Sequence, residues 1–196
     1  MTEKTAQKEP GKKPVPSKKP KPQQEVVVQI PLSELHPFPD HPFQVREDAS
    51  MQETAESVKE YGVLVPALAR PREDGGYELI AGHRRKHACE LAGLATMPVI
   101  VRDIDRDAAT IIMVDSNLQR ENILPSERAK AYKMKMEAIK RQGARTDLTS
   151  PKISAKFRSD DEVGQDAGVS GDTIRNYIAL TQLVPELQQM VDEKKI

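Results

Sequence analysis

The sequence predicts an α+β chain: a small mixed sheet with helices, followed by an all-helical part that contains a helix-turn-helix. Three observations predict this. Between residues 25 and 101, short β-rich runs alternate with stretches of helical period, each bounded by Pro or Gly. From Pro125 onward the apolar positions recur only at helical spacing. Between Asp161 and Ile178, Gly164 and Gly168 with the apolar Val169, Ile174 and Tyr177 suit two helices meeting at a tight turn. The predicted division is a basic tail over 1–24, a sheet-containing domain over 25–122, and a helical domain over 123–196 with the two-helix unit at about 161–180.

Composition narrows the classes. No window reaches the roughly 18 apolar residues of a membrane span. A single Cys cannot form an internal disulfide, and the N-terminus has no apolar signal region, so a cytoplasmic protein is expected. With four Tyr, three Phe and no Trp, the cores should be small and aliphatic. The 30 Lys+Arg balance the 30 Asp+Glu, but unevenly along the chain. Residues 1–24 hold seven Lys, two Glu and five Pro, too little apolar surface to offset ordering, so disorder is expected. That tail reads either as a solvated linker or as an electrostatic arm for nucleic acid.

The elements follow in order. Val26 to Ile30 is a strand stopped by Pro31, and Ser33-Glu34-Leu35 begins a turn. Three prolines between His36 and Phe43 predict a loop. Met51, Ala55, Val58 and Tyr61 predict a helix that stops at Gly62. Val63–Arg70 and Tyr77–Ala81 flank Asp74-Gly75-Gly76 and predict a hairpin. A helix over His83–Ala92 and a strand over Met97–Val101 come next, then a helix capped by Asp105 with its apolar body from Ala108 to Val114. Pro125-Ser126-Glu127 opens a helix to about Gln142, and Gly143 to Ser159 is polar, with part of it expected to be mobile. Residues 126–160 carry ten Lys/Arg against four acids, including Lys133, Lys140 and Arg141, which suits phosphate contact.

Three constellations carry chemistry. In Leu79-Ile80-Ala81-Gly82-His83-Arg84-Arg85, a strand delivers the chain to a glycine and a helix starts at once. A helix N-terminus and two guanidiniums suit phosphate, and Gly82 permits close backbone approach. The plainer reading is an amphipathic helix with a basic face. Second, Ser116-Asn117-Leu118-Gln119-Arg120-Glu121 is more polar than a connector requires. Asn117 and Gln119 can orient oxygen ligands or hydrated Mg²⁺, and Arg120 can pair with phosphate. Third, Ser170 can cap the second helix of the turn unit, leaving Asp172, Thr173, Arg175 and Asn176 outward for the major groove.

Together these motifs resemble the ParB family of chromosome and plasmid partition proteins over roughly residues 26–196. The family's Gln-Pro-Arg corresponds to Gln44-Val45-Arg46, its Ser-Ile-to-Gly helix end to Ser57-Val58 and Gly62, its Gly-Glu-Arg-Arg to Gly82-His83-Arg84-Arg85, and its Glu-Asn-Leu-Gln-Arg to Ser116-Asn117-Leu118-Gln119-Arg120. The resemblance implies a CTP-dependent clamp on double-stranded DNA. A nucleotide-binding N-terminal domain takes CTP with Mg²⁺, the helix-turn-helix reads a palindromic site, and two copies close over the duplex. A ParA-type ATPase is the implied further partner. Carried over by position, Ser57, Gly62, Gly82, Arg84 and Arg85 surround the triphosphate, Gln44 and Arg46 lie beside it, and Asn117 meets Mg²⁺. His83 and Ser116 replace the two family glutamates, and neutral Ser116 is a weaker partner for hydrated Mg²⁺ than a carboxylate, which weakens the implication of slow CTP hydrolysis. Family members usually continue into a C-terminal dimerisation domain, whereas this chain stops at Lys194-Lys195-Ile196. The alternatives are a ParB-like transcription or accessory factor with a vestigial nucleotide pocket, and an enzyme on the same scaffold, a nuclease or a sulfiredoxin-like phosphotransferase. For the last, Cys89 lies inside a helix and reads as a buried apolar residue.

Overall fold

The computed structural model describes residues 25–120, 122–146 and 159–196. The basic tail and residues 147–158 of the polar stretch lie outside the described residues. The elements run β1 (Val27–Pro31), a 3₁₀ turn (Leu32–Glu34), β2 (Leu35–Pro37), α1 (Ala49–Tyr61), β3 (Ala67–Pro71), β4 (Tyr77–Ala81), α2 (His83–Leu91), β5 (Thr96–Val101) and α3 (Arg106–Leu118). Four helices follow: α4 (Pro125–Thr146), α5 (Ser159–Ala167), α6 (Gly171–Leu180) and α7 (Pro185–Asp192). The α+β class holds.

The strands form one mixed sheet in the order β1-β5-β3-β4-β2. β1 and β5 are antiparallel with Val28 opposite Val99, and β3 and β4 form the expected antiparallel hairpin. The β3–β5 and β2–β4 pairs are parallel. Side chains alternate across a strand, so neighbouring Leu79 and Ile80 on β4 enter different cores. Leu79 joins Met51, Val58, Ala88 and Cys89 under α1 and α2, whereas Ile80 joins Phe43, Met113, Val114 and Ala131 under α3 and α4. Each buried Leu, Ile, Met, Val or Phe among them contributes about 1.5–3 kcal/mol. A third core of Tyr132, Val163 and Ile174 holds α5 and α6 on α4.

Local chemistry sets the helix ends. Asp48 caps α1 by accepting from Met51 N at 2.9 Å, and Asp105 caps α3 by accepting from Ala108 N at 2.8 Å. Gly62, at φ 71°, ends α1 with its N–H on Val58 O. Buried Lys135 on α4 bonds Asp115 on α3 at 2.7 Å and Asp166 on α5 at 2.8 Å, tying three helices together.

Four boundaries depart from expectation. Leu35–Pro37 is a strand, because β2 is an edge strand where a missing proline N–H is tolerated. Val63–Pro66 is not strand: Leu64 and Val65 are exposed, and β3 begins at Ala67. α3 continues through Asn117 to Leu118, and α4 runs past Gly143 to Thr146.

Candidate functional site

The N-termini of α1, α2 and α4, the end of α3 and the strap at residues 43–46 converge on a cleft of about 420 Å³. It is lined by Gln44, Arg46, Asp48, Ser50, Arg84, Arg120 and Glu127, among others. Arg84 donates to Ser50 Oγ at 3.2 Å and lies 3.6 Å from Asp48, so the cap of α1 also steadies a guanidinium. Arg46 stands 4.0 Å from Glu127. Burial, and then the charge of Arg84, make Arg120 less basic than an ordinary guanidinium, with Glu127 opposing them. Three guanidiniums facing one concavity form a receptor for a polyanion.

The strand–glycine–helix step is built as expected, but its glycine has another task. Gly82 lies at φ 110°, and a Cβ there would stand 2.8 Å from the Cβ of Ala67. The glycine lets α2 start against β3. Arg85 donates to the carbonyls of Val65 at 2.6 Å and Pro66 at 2.7 Å, so it braces the segment before β3. Burial, then the charge of Arg120, lowers its pKa. His83 packs on His41 with ring centroids 4.0 Å apart, and its buried Nε2 has no partner. Burial, helped by His41, Arg120 and Lys86, pushes its pKa down to about 3. His41 Nδ1 lies 2.7 Å from Phe43 O, and since a carbonyl only accepts, Nδ1 carries the proton. Its Nε2 is buried without a partner.

At the end of α3, buried Asn117 donates through Nδ2 to Met113 O at 2.8 Å, while its Oδ1 is buried with no partner. An orphaned amide oxygen fits a hard cation such as Mg²⁺. The Ser116 hydroxyl donates back to Met113 O at 2.9 Å. Gln119 lines a different cleft with Asp115, Arg128 and Lys135. Ser57 is exposed on α1, and neither it nor Gly62 lines the guanidinium cleft. The structure therefore gathers Gln44, Arg46, Arg84 and Arg120. Gly82, His83, Arg85, Ser116 and Asn117 flank them on α2 and α3, and Ser57, Gly62 and Gln119 lie apart.

Glu127 was not among the expected site residues. It accepts from Gln44 N at 3.1 Å and from Leu124 N at 3.2 Å. An acid in the first turn of a helix, seven residues after Arg120, was the available signal, but Pro125-Ser126-Glu127 reads equally well as a plain helix start.

In the helical part, Ser170 caps α6 by accepting from Thr173 N at 3.1 Å, as expected. Gly164 is needed where α5 meets the turn, since a Cβ there would lie 2.6 Å from Val169 O. Asp172, Arg175 and Asn176 are exposed and Thr173 is half-buried. Arg175 bonds both Asp160 and Asp172, which raises its pKa. Lys133 and Lys140 are exposed on α4, whereas Arg141 bonds Asp107 at 2.7 Å. Cys89 is buried, and burial pushes its thiol pKa up, as suits a core residue. Among the described residues no helix is long and apolar enough to cross a membrane.

The chain is 36% identical over 171 residues to the chromosome-partitioning protein Spo0J of Thermus thermophilus, covering 87% of this chain and 56% of that protein. It is 32% identical over 170 residues to stage 0 sporulation protein J of Bacillus subtilis, covering 87% of this chain and 54% of that one. The chain thus spans about half the length of the curated relatives it matches. A crystal structure of C-terminally truncated chromosome-partitioning protein ParB from Caulobacter crescentus, complexed to the centromeric parS site, superposes with a TM-score of 0.56 at 27% identity. That match covers 86% of this chain and 79% of the other. The ParB N-terminal domain model matches residues 16–118, from the tail through the sheet to the end of α3, and the chain belongs to that family.

Proposed function

We propose that this chain is a partition protein that binds a nucleoside triphosphate through residues 25–122 and double-stranded DNA through residues 123–196. The observation that carries the reading is the convergence of Arg46, Arg84 and Arg120 on one cleft at the start of α2. Arg84, steadied by Ser50 and Asp48, is the best-placed phosphate donor. The choice of CTP comes from the family resemblance. Asn117 Oδ1 would offer one oxygen toward Mg²⁺, with phosphate and water to supply the rest. Mg²⁺ would neutralise phosphate charge, and the guanidiniums would orient the chain.

The α5–α6 pair acts as the helix-turn-helix, with Thr173 and Asn176 toward base edges of a palindromic site and Ser170 holding the reading helix at its cap. Lys133 and Lys140 contribute phosphate contacts. Arg175 reaches the duplex only by exchanging Asp160 and Asp172 for DNA. Two copies close over DNA when nucleotide binds, at the bacterial nucleoid in the cytoplasm, with a ParA-type ATPase as partner. The test is calorimetric titration with CTP and ATP in Mg²⁺, with and without a palindromic duplex. Arg84→Ala should weaken CTP binding about tenfold or more while DNA affinity changes little. Absence of CTP binding under both conditions removes the nucleotide reading.

The second reading, a DNA-binding factor with a vestigial pocket, is favoured by Arg85 Nη1 and the Ser116 hydroxyl, which donate to the Val65, Pro66 and Met113 carbonyls. It requires DNA crosslinking between copies to be indifferent to CTP.

A further inference from the structure

Among the described residues, Glu127 and the α1 cap Asp48 are the two acids lining a cleft whose three guanidiniums suit anions, and Glu127 is the buried one. It is only 7% exposed, and both of its oxygens are engaged: Oε1 accepts from Gln44 N, 83 positions away, and Oε2 from Leu124 N. A first-turn acid favours its own helix through the dipole. That accounts for the Leu124 contact but not for the reach to Gln44, nor for Arg46 at 4.0 Å and the opposing pull on Arg120. The neighbouring Ser126 is held from the other side, its N–H and hydroxyl on the Asp192 carboxylate of α7 at 2.9 and 2.5 Å. The start of α4 is therefore a joint: one carboxylate fastens it to the strap of the cleft, and another fastens it to α7.

We propose that Glu127 is a resident counter-ion that competes with phosphate for Arg46 and Arg120, so that a polyphosphate entering the cleft loosens the start of α4 from the Gln44–Arg46 strap. The idea rests on the proposed polyphosphate site and adds its regulation. A triphosphate brings several negative charges into a cleft where Glu127 already stands 4.0 Å from Arg46 and acts on Arg120, and like charges repel even in a well-solvated cleft. Binding thus works against the contact that holds the start of α4 to the strap, which makes the residue a positioning group rather than a ligand.

The test is Glu127→Gln, which keeps the side chain's length and one carbonyl acceptor but removes the charge. Inorganic tripolyphosphate and CTP are titrated calorimetrically in magnesium-free buffer and again with Mg²⁺. The variant should bind tripolyphosphate at least about fivefold tighter than the parent, with the gap narrowing as salt rises. Equal or weaker binding overturns the proposal, and weakening confined to Mg²⁺ buffer assigns Glu127 to the metal instead. Should the variant fail to fold, the Gln44 and Leu124 backbone amide resonances of the unaltered chain decide. They should shift saturably with tripolyphosphate as their acceptor loosens, and if they stay fixed at saturation the proposal fails. Tighter tripolyphosphate binding by the variant with no CTP binding by the parent keeps this inference and removes the CTP reading. CTP binding by the parent with no gain in the variant does the opposite.

Discussion

Burial, with the charges of His41, Arg120 and Lys86 adding to it, holds His83 at a pKa of about 3, against 6.5 for a free imidazole. Between those two values the unfolded chain binds a proton that the folded chain refuses. The contribution to stability is whole above pH 6.5 and is lost as pH falls toward 3. His41, also lowered by burial, adds in the same direction. We expect the urea midpoint to fall on acidification and His83→Gln to flatten that fall, by roughly 3 kcal/mol near pH 4.5. Parallel acid limbs for the two proteins would show that the histidine does not carry the effect. Sequence alone marked His83 as a departure from the family glutamate. Its neutral, stacked state depends on His41, 42 positions earlier, and no spacing rule connects the two.

The elements were legible wherever local chemistry decided them. Tyr77–Ala81 reads as a strand from its β-rich composition and the glycine turn before it, and it is β4. The three prolines before Phe43 hid β2, because an edge position forgives what a central strand would not. Val63-Leu64-Val65 misled in the other direction, since its apolar pattern has no partner strand and Arg85 binds its end. Glycines separate in the same way. A Cβ at Gly164 would meet the backbone oxygen of Val169 at 2.6 Å, whereas one at Gly171 would crowd the movable Asp161 carboxylate and meet backbone, at Asp161 Cα, only at 3.4 Å, an ordinary contact. Gly164→Ala should therefore cost about 1–3 kcal/mol by overpacking, and Gly171→Ala distinctly less. Thermal melts of the two variants check the order, and equal costs would mean that the turn between α5 and α6 yields easily.

Across the whole molecule, Lys135 is the buried point where the sheet-bearing and helical parts share charge, beside the more exposed Arg141–Asp107 and Arg46–Glu127 contacts. Burial alone would lower its pKa, but bonds to Asp115 and Asp166 outweigh that and raise it. Lys135→Met strands two carboxylates and should cost about 2–4 kcal/mol, at the lower end because both acids are partly solvated. Neutralising them as well, in Asp115→Asn/Lys135→Met/Asp166→Asn, should return most of the loss in urea denaturation. No recovery would mean that the ammonium's packing mattered more than its charge. A different constraint comes from the three residues joining β1 to β2. These strands are the opposite edges of the sheet, yet four Cα steps reach at most about 15 Å, against about 19 Å across five flat strands. The Leu32–Glu34 turn therefore acts as a hoop that curls the sheet on itself. Lengthening that hoop by a few residues would let the sheet relax open and leave both rims free to zip onto other chains.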